Sequence, residues 1–295
     1  MRPRQLANLT LPPLLWASNA VLGRALAPTI SPALLNAVRW AVAVALLAPL
    51  ARSLWAAPGA LKAHWRYYAV LGLLGMGCYN AMQYQALHTS SALNVTLIAS
   101  SMPLWMLVVG ALVYRVRPTL RELGGAALSL AGVALVVARG HWASLAQVRL
   151  VPGDLLMLLA VFLWAIYSWM LVRPPFARRP PWDWAGALMA QSLFGTGFAL
   201  LLAGAEGALG HTVFVANPLL WAALLYVAVG PALLAYRCWG AGVAEAGPAM
   251  AALFFNLTPV FAALMSTLLL GEGPAWFHVA AFVLIVAGIG VSARR

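Results

Sequence analysis

Apolar residues run along this chain in long continuous blocks, not in the one-face stripe of a helix that meets water on its other side. A helix needs roughly 20 mostly apolar residues to cross a ~30 Å hydrocarbon core. By that measure the pattern predicts ten spanning helices, over 9–27, 32–51, 67–87, 92–113, 120–138, 153–172, 184–204, 218–240, 248–270 and 275–293. The connections are short, and Pro or Gly marks several of them, as at Pro58-Gly59, Pro118, Pro174-Pro175 and Pro180-Pro181. No connection is long enough for a separate soluble domain. The block from Leu9, preceded by Arg2 and Arg4 and closed by Ala25-Leu26-Ala27, imitates a secretory signal. Its length and a counterpart in the middle of the chain assign it instead as a retained first helix.

Composition agrees with this pattern. The 295 residues are 64% hydrophobic and 8% charged, with a mean hydropathy of +0.89. A soluble domain is about 25% charged because its surface must be wetted. Eighteen Lys and Arg stand against six Asp and Glu, yet the basic residues occur singly and in pairs between apolar blocks. They form no stripe for nucleic acid; their placement is that of a multi-pass membrane protein. With the N-terminus in the cytoplasm, fourteen basic residues fall inside and only Arg24, Arg139 and Arg149 outside, with Arg39 within a span. That bias places both termini in the cytoplasm and requires an even number of spans. Cys78 and Cys238 both lie in apolar segments, as small buried hydrophobes with no disulfide framework.

The two halves resemble each other. A shift of 156 residues aligns 86–139 with 242–295, pairing Pro103 with Pro259, Pro118 with Pro274 and Ala131-Gly132 with Ala287-Gly288. A shift of 148 pairs Leu15-Trp16-Ala17 with Leu163-Trp164-Ala165. The expected organisation is two five-helix repeats, 1–145 and 146–295. Five is odd, so the second repeat enters the membrane from the opposite side, and inverted repeats can exchange conformations to expose a site to either side in turn.

Three segments, Leu257-Thr258-Pro259-Val260-Phe261, Leu269-Leu270-Gly271-Glu272 and Ala287-Gly288-Ile289, make the chain resemble the drug/metabolite transporter superfamily in its ten-helix form with two EamA-type repeats. The first repeat departs from that pattern, with Arg115-Val116 where Gly-Glu is common. Within the superfamily the chain looks most like bacterial exporters of aromatic and other neutral amino acids. The resemblance implies an all-α inner-membrane protein whose cargo is a neutral or aromatic amino acid, and it implies no cofactor.

Polar side chains within spans usually face the bundle interior or a watery cavity. Trp16, Asn19 and Gly23 share a face of the first span, and Trp164, Tyr167 and Ser168 a face of the sixth. Tyr79 and Gln83 share one in the third, with Asn80 and Tyr84 one step around. Asn94, Ile98, Ser101 and Trp105 form one stripe along the fourth, and Asn256 stands near Pro259 in the ninth. One reading is a cavity walled by aromatic rings, with Asn, Gln, Ser and Tyr to bond a zwitterion's carboxylate and amine. The other is that Trp and Tyr form interfacial belts while Asn and Ser join helices. The belt reading is preferred for Trp16 and Tyr84, near span ends; for Tyr79, Trp164 and Asn94 both stand. Arg39 could clamp a carboxylate, although snorkelling to an interface is the commoner fate. Pro103, Pro259 and Pro231 are expected as hinges or gates, with static kinks as the alternative.

All six acidic residues, Glu122, Asp154, Asp183, Glu206, Glu245 and Glu272, fall at or outside span ends. This pattern argues against an essential intramembrane carboxylate for proton or sodium coupling, and it favours facilitated diffusion. It also leaves no metal-ligand set, and no nucleophile and base together, on which a membrane enzyme could be built. The expected partners are the bilayer and a small-molecule substrate, with one chain sufficient. The competing cargo class is apolar drugs or other small metabolites.

Overall fold

The computed structural model describes residues 1–26, 28–87, 89–90, 92–141, 143, 151–176, 179–270 and 276–293. Its α-helices run in the order α1 Pro3–Leu26, α2 Pro32–Leu47, α3 Arg52–Ala56, α4 Pro58–Gly72, α5 Tyr79–Leu87, α6 Ala92–Ala99, α7 Met102–Leu112 and α8 Leu120–Val137. The second half continues with α9 Pro152–Val172, α10 Trp184–Ala208, α11 Pro218–Val227, α12 Ala235–Ala246, α13 Pro248–Phe255, α14 Thr258–Leu270 and α15 Trp276–Ala293. Two wider π-helical turns, Leu73–Cys78 and Ala228–Leu234, join α4 to α5 and α11 to α12. Among the described residues, strand pairing is limited to an isolated bridge between Ile30 and Phe214.

Seven stretches among the described residues are long and apolar enough to cross a membrane: Val95–Leu112, Leu120–Val137, Pro152–Val172, Trp184–Ala208, Pro218–Ala246, Pro248–Met265 and Trp276–Ala293. Pro32–Leu47 is apolar but shorter. The helices of the third expected span outrun its apolar block, because intrahelical bonding does not stop where hydropathy falls. Thus α4 begins at Pro58 and carries Lys62 and Arg66, with a kink at His64 (φ −120°, ψ 20°). The short α3 has no apolar signature and was not expected.

Two compact units result, each taking pieces of both halves of the chain. The first comprises Met1–Val21, Met82–Val172 and Cys238–Arg295, the second Leu22–Ala81 and Arg173–Arg237. In the first unit α8 packs along α15. A Cβ on Gly125 or on Gly288 would fall 2.6 Å from the other's carbonyl oxygen, and one on Gly132 would fall 2.9 Å from that of Ala281. The pairs 125/288 and 132/281 run in opposite directions, so the helices are antiparallel. Under the 156-residue shift the first pair maps onto the second. Small residues let backbones approach closely where lipid offers no hydrophobic drive for association.

In the second unit α2 packs on α10, and carboxylates secure both ends of α10 to neighbouring elements. Near its C-terminus, Glu206 accepts bonds from the Ser31 hydroxyl (2.5 Å) and the amides of Ala33 (3.3 Å) and Leu34 (3.2 Å), capping α2 in place of a local side chain. At its N-terminus, Asp183 accepts from the Gly186 amide (2.9 Å) and the Ser53 hydroxyl (2.7 Å) of α3. The Gly186 amide first, then the Ser53 hydroxyl, holds the Asp183 carboxyl below the ordinary aspartate range.

Two measurements follow from these contacts. Gly288→Ala forces a Cβ against backbone, and overpacking of about 1–3 kcal/mol should outweigh the roughly 1 kcal/mol of helix propensity that alanine adds. Its thermal midpoint in detergent should therefore drop, while Gly124→Ala, with nothing within 4 Å, should not lower it; equal behaviour of the two variants would remove the close-packing argument. For Asp183 the folded carboxyl titrates below the unfolded one. Its stabilisation is therefore present above the ordinary aspartate pKa and disappears as pH falls through the lowered value. Asp183→Ala should melt earlier than wild type at neutral pH, and the gap should close in acid; a gap independent of pH would show that the charge is irrelevant.

Candidate substrate-binding site

On α9, Trp164, Tyr167 and Ser168 recur at i, i+3 and i+4 and so share one face. Against that face, within the first unit, come Trp16 from the middle of α1, Trp239 from α12 and Phe255 from the last residue of α13. The Trp16 ring lies 5.4 Å from Trp164 at 87°, 5.5 Å from Trp239 and 5.8 Å from Phe255. Trp164 also meets Tyr167 at 5.0 Å and Trp239 at 5.8 Å. The Trp239 indole donates to the Ser168 hydroxyl at 3.2 Å, which fixes its ring. Trp164, Tyr167 and Trp239 are buried, whereas Trp16 and Phe255 are half-buried and present the open side of the cluster. The arrangement offers π faces and apolar edges to a ligand, without a carboxylate.

Immediately beyond Phe255 the ninth apolar block breaks. The chain leaves helical pairing at Asn256 and Leu257 before α14 starts, just as it does at Ser100 and Ser101 between α6 and α7. Pro103 and Pro259 each sit in the first turn of the new helix, where the missing N–H costs nothing and the ring excludes a regular turn before it. The Asn256 side chain donates to the Ser100 carbonyl (3.2 Å) and to the Ser129 hydroxyl (2.9 Å). Ser100 and Asn256 are counterparts under the 156-residue shift, as Trp16 and Trp164 are under the 148-residue shift.

The second unit holds its own buried polar network. The Asn36 side chain donates to the Met76 carbonyl (3.3 Å), and the Tyr236 hydroxyl donates to that of Gly75, both in the π-helical turn. The Arg39 guanidinium donates to Asn36 Oδ1 at 2.5 Å and lies 5.7 Å from the ring of Trp40, itself edge-on to Tyr236. Arg39 is only 6% exposed, so it does not snorkel as expected. Asn36, one turn earlier, holds the head group inside. Tyr79, beside Tyr236, and the buried Pro231 of the other π-helical turn also belong to this unit.

Several expectations need correction. Trp16 is not an interfacial-belt residue, because α1 extends back to Pro3 and places it mid-helix among three rings. The stripe through Ser101 and Trp105 is not continuous, because the break at Ser100–Ser101 resets the helical register. Ser101 donates to the Ile98 carbonyl in its own turn, and Trp105 packs on Phe162. Asn256 braces the break, with its amide turned to Ser100 and Ser129. Asn19 and Gln83 are half-buried in the first unit, and the side chain of Asn94 lies outside the described residues. Trp239 and Phe255 were missed; pairing Trp239 with the other aromatics needed the fold. Among the described acidic residues, Glu122, Asp154, Asp183, Glu206 and Glu245 all stand at helix ends, Asp154 fully buried and bonded to the Ser90 hydroxyl and the Val151 amide. Glu272 lies outside the described residues.

Comparison with known proteins adds the following. A model of the EamA-like transporter family matches residues 7–138 and again 151–294. An uncharacterized transporter of Archaeoglobus fulgidus is 28% identical over 235 residues, 78% of this chain and 77% of its own. The aromatic amino acid exporter YddG of Ancylobacter novellus is 27% identical over 296 residues, covering 96% of this chain and 95% of that one. A solved crystal structure superposes with a TM-score of 0.79 at 22% identity, over 99% of this chain and 97% of its own, which is a likeness of fold.

Asn256→Ala removes the donor to a carbonyl that the break has released inside the protein. A buried unsatisfied group costs about 1–3 kcal/mol, so the variant should melt well below wild type and below Ser129→Ala, which leaves the Ser100 carbonyl bonded. A midpoint at or above wild type would show that the brace contributes nothing.

Proposed function

As a member of the EamA-like transporter family the chain is a membrane transporter, and we propose that it exports neutral and aromatic amino acids from the cytoplasm across a bacterial inner membrane. The aromatic cluster carries this reading. Trp16 and Phe255 present half-buried rings backed by Trp164, Tyr167 and Trp239, a surface that packs an aromatic or aliphatic side chain. Their faces also attract an ammonium, worth from about 0.5 kcal/mol at exposed sites to about 2 kcal/mol where water is excluded. Ser168 and Asn19, close in sequence to Trp164 and Trp16, and Gln83 of the same unit offer hydrogen-bonding groups. The similarity to YddG, named as an aromatic amino acid exporter, supports the same cargo.

The topology that goes with this function is ten spans in two inverted halves, 1–145 and 146–295, with both termini cytoplasmic. The antiparallel packing of α8 on α15 and the meeting of counterpart residues support the inversion. Alternating access then works by exchange of conformations between the halves, with Pro103, Pro259 and Pro231 at the positions where helices can bend. Carboxylates confined to helix ends support facilitated movement down the amino-acid gradient.

The test is counterflow of labelled phenylalanine, methionine and threonine in proteoliposomes with no imposed ion gradient. Saturable exchange is expected, with phenylalanine preferred. Trp239→Ala should raise its half-saturating concentration roughly tenfold, a loss of about 1.4 kcal/mol. Threonine should suffer less, having little surface to stack. Uptake seen only under a proton gradient would overturn the facilitated mechanism, and inhibition by apolar drugs but not by amino acids would move the cargo to that class.

A further inference from the structure

A cavity of about 1070 Å³ opens in the first unit, and none of the five clustered rings lines it. It is as large as the sites that hold small molecules with their water, which run to roughly 1,000 Å³. Its wall combines Arg2 and Arg117 with Glu245, and the buried Trp169 reaches it with an edge beside Leu107, Val116 and Met250. That ring is fixed: its indole donates to the Met106 carbonyl at 2.8 Å, and Tyr114 stacks on it at 5.1 Å. A Cβ at Gly110 would meet it at 2.5 Å, so the glycine is what lets the ring lie flat against α7.

The charges in the wall are not equally engaged. Glu122 also lines the cavity, but its carboxylate accepts both the amide (2.8 Å) and the hydroxyl (2.9 Å) of Thr119, closing the first turn of α8. Among the described residues the ion pair of Glu245 is with the exposed Arg4, at 4.0 Å, a contact that solvent screens to little effect. Gly247, at φ +87°, lets α13 start directly after α12, so the positive end of the α13 dipole borders the cavity beside Glu245. Fixed positive charge, a weakly engaged carboxylate and a rigid indole in one wall match the three parts of a free amino acid.

We propose that this cavity is a second binding site, an entry vestibule that selects α-amino acids as zwitterions. Arg117 and Arg2 take the carboxylate, Glu245 takes the ammonium, and the edge of Trp169 with Leu107, Val116 and Met250 takes the side chain. The proposal rests on the amino-acid reading above and deepens it, since Met1 and Arg117 stand at the membrane face which that reading places in the cytoplasm. A ligand lacking either charge leaves the opposite one in the wall uncompensated and is rejected.

The reporter is Ala249→Cys in the full chain, at the cavity wall, modified by a maleimide with wild type as background. Phenylalanine should protect it, whereas 3-phenylpropionate and phenethylamine should not. Adding Glu245→Gln should raise the phenylalanine concentration for half-protection at least tenfold while letting 3-phenylpropionate protect; Arg117→Gln should do the same while admitting phenethylamine. Both are exposed positions, and size-exclusion profiles check that the variants stay folded. Counterflow measured alongside separates the two ideas. Counterflow sensitive to Trp239→Ala, with Ala249→Cys left unprotected by phenylalanine, would overturn the vestibule and keep the export reading. Protection with the crossed charge pattern but no counterflow would keep the vestibule and overturn export. Neither protection nor counterflow would overturn both.

Discussion

A polar backbone group inside a bilayer has no water to turn to, and the rest of this structure depends on that constraint. A regular helix meets it internally; every departure from regularity must find a partner elsewhere. This chain departs at Ser100–Ser101, at Asn256–Leu257 and in two π-helical turns. Carbonyls at these places are met by side chains reaching from other elements: Asn256 to Ser100, Asn36 to Met76 and Tyr236 to Gly75. Several of the buried polar residues of an apolar protein are thus committed to the backbone, and others, such as Ser168 and Ser129, to neighbouring side chains.

A charged side chain at membrane depth is expensive, and a ring is not, so a cargo's apolar part can be held where burial is deepest. Trp16, Trp164 and Trp239 pack on one another, with the Trp239 indole tied to Ser168. Phe255 joins them as the last residue before a helix break, so the ring cluster and the interruption of the ninth block adjoin in the chain.

Much of this was legible in the sequence, for reasons of length and period. Apolar blocks located most helices to within a few residues, as at Pro152–Val172 and Leu120–Val137, because hydropathy and helical pairing end together there. They failed at α4, whose polar first turns continue past the apolar edge, and at α3, too short to carry a pattern. The face of Trp164, Tyr167 and Ser168 was readable because one uninterrupted helix bears it. The stripe from Asn94 to Trp105 was not, since a proline at 103 displaces the break to residues before it, and every register beyond is reset. The partners Trp239 and Phe255 lie more than 70 residues from Trp164, and only packing brings them near. The burial of Arg39 was missed because the rule for long basic side chains assumes an apolar exit, and Asn36 supplies a polar anchor instead.

The contact between Ser100 and Asn256 carries one more consequence. Residues 100 and 256 are counterparts under the 156-residue shift, and a carbonyl facing a carbonyl repels. A strictly duplicated sequence would place two acceptors, or two amides competing for one space, at this point. Here one half supplies the acceptor and the other the donor. Residues 100 and 256 are therefore not interchangeable: swapping them would move the donor to residue 100, and its second hydrogen would meet Ile285, the counterpart of Ser129, which has no oxygen on its side chain to receive it. One contact thus makes two similar stretches of a polypeptide unequal, each fitted to a part that the other does not play.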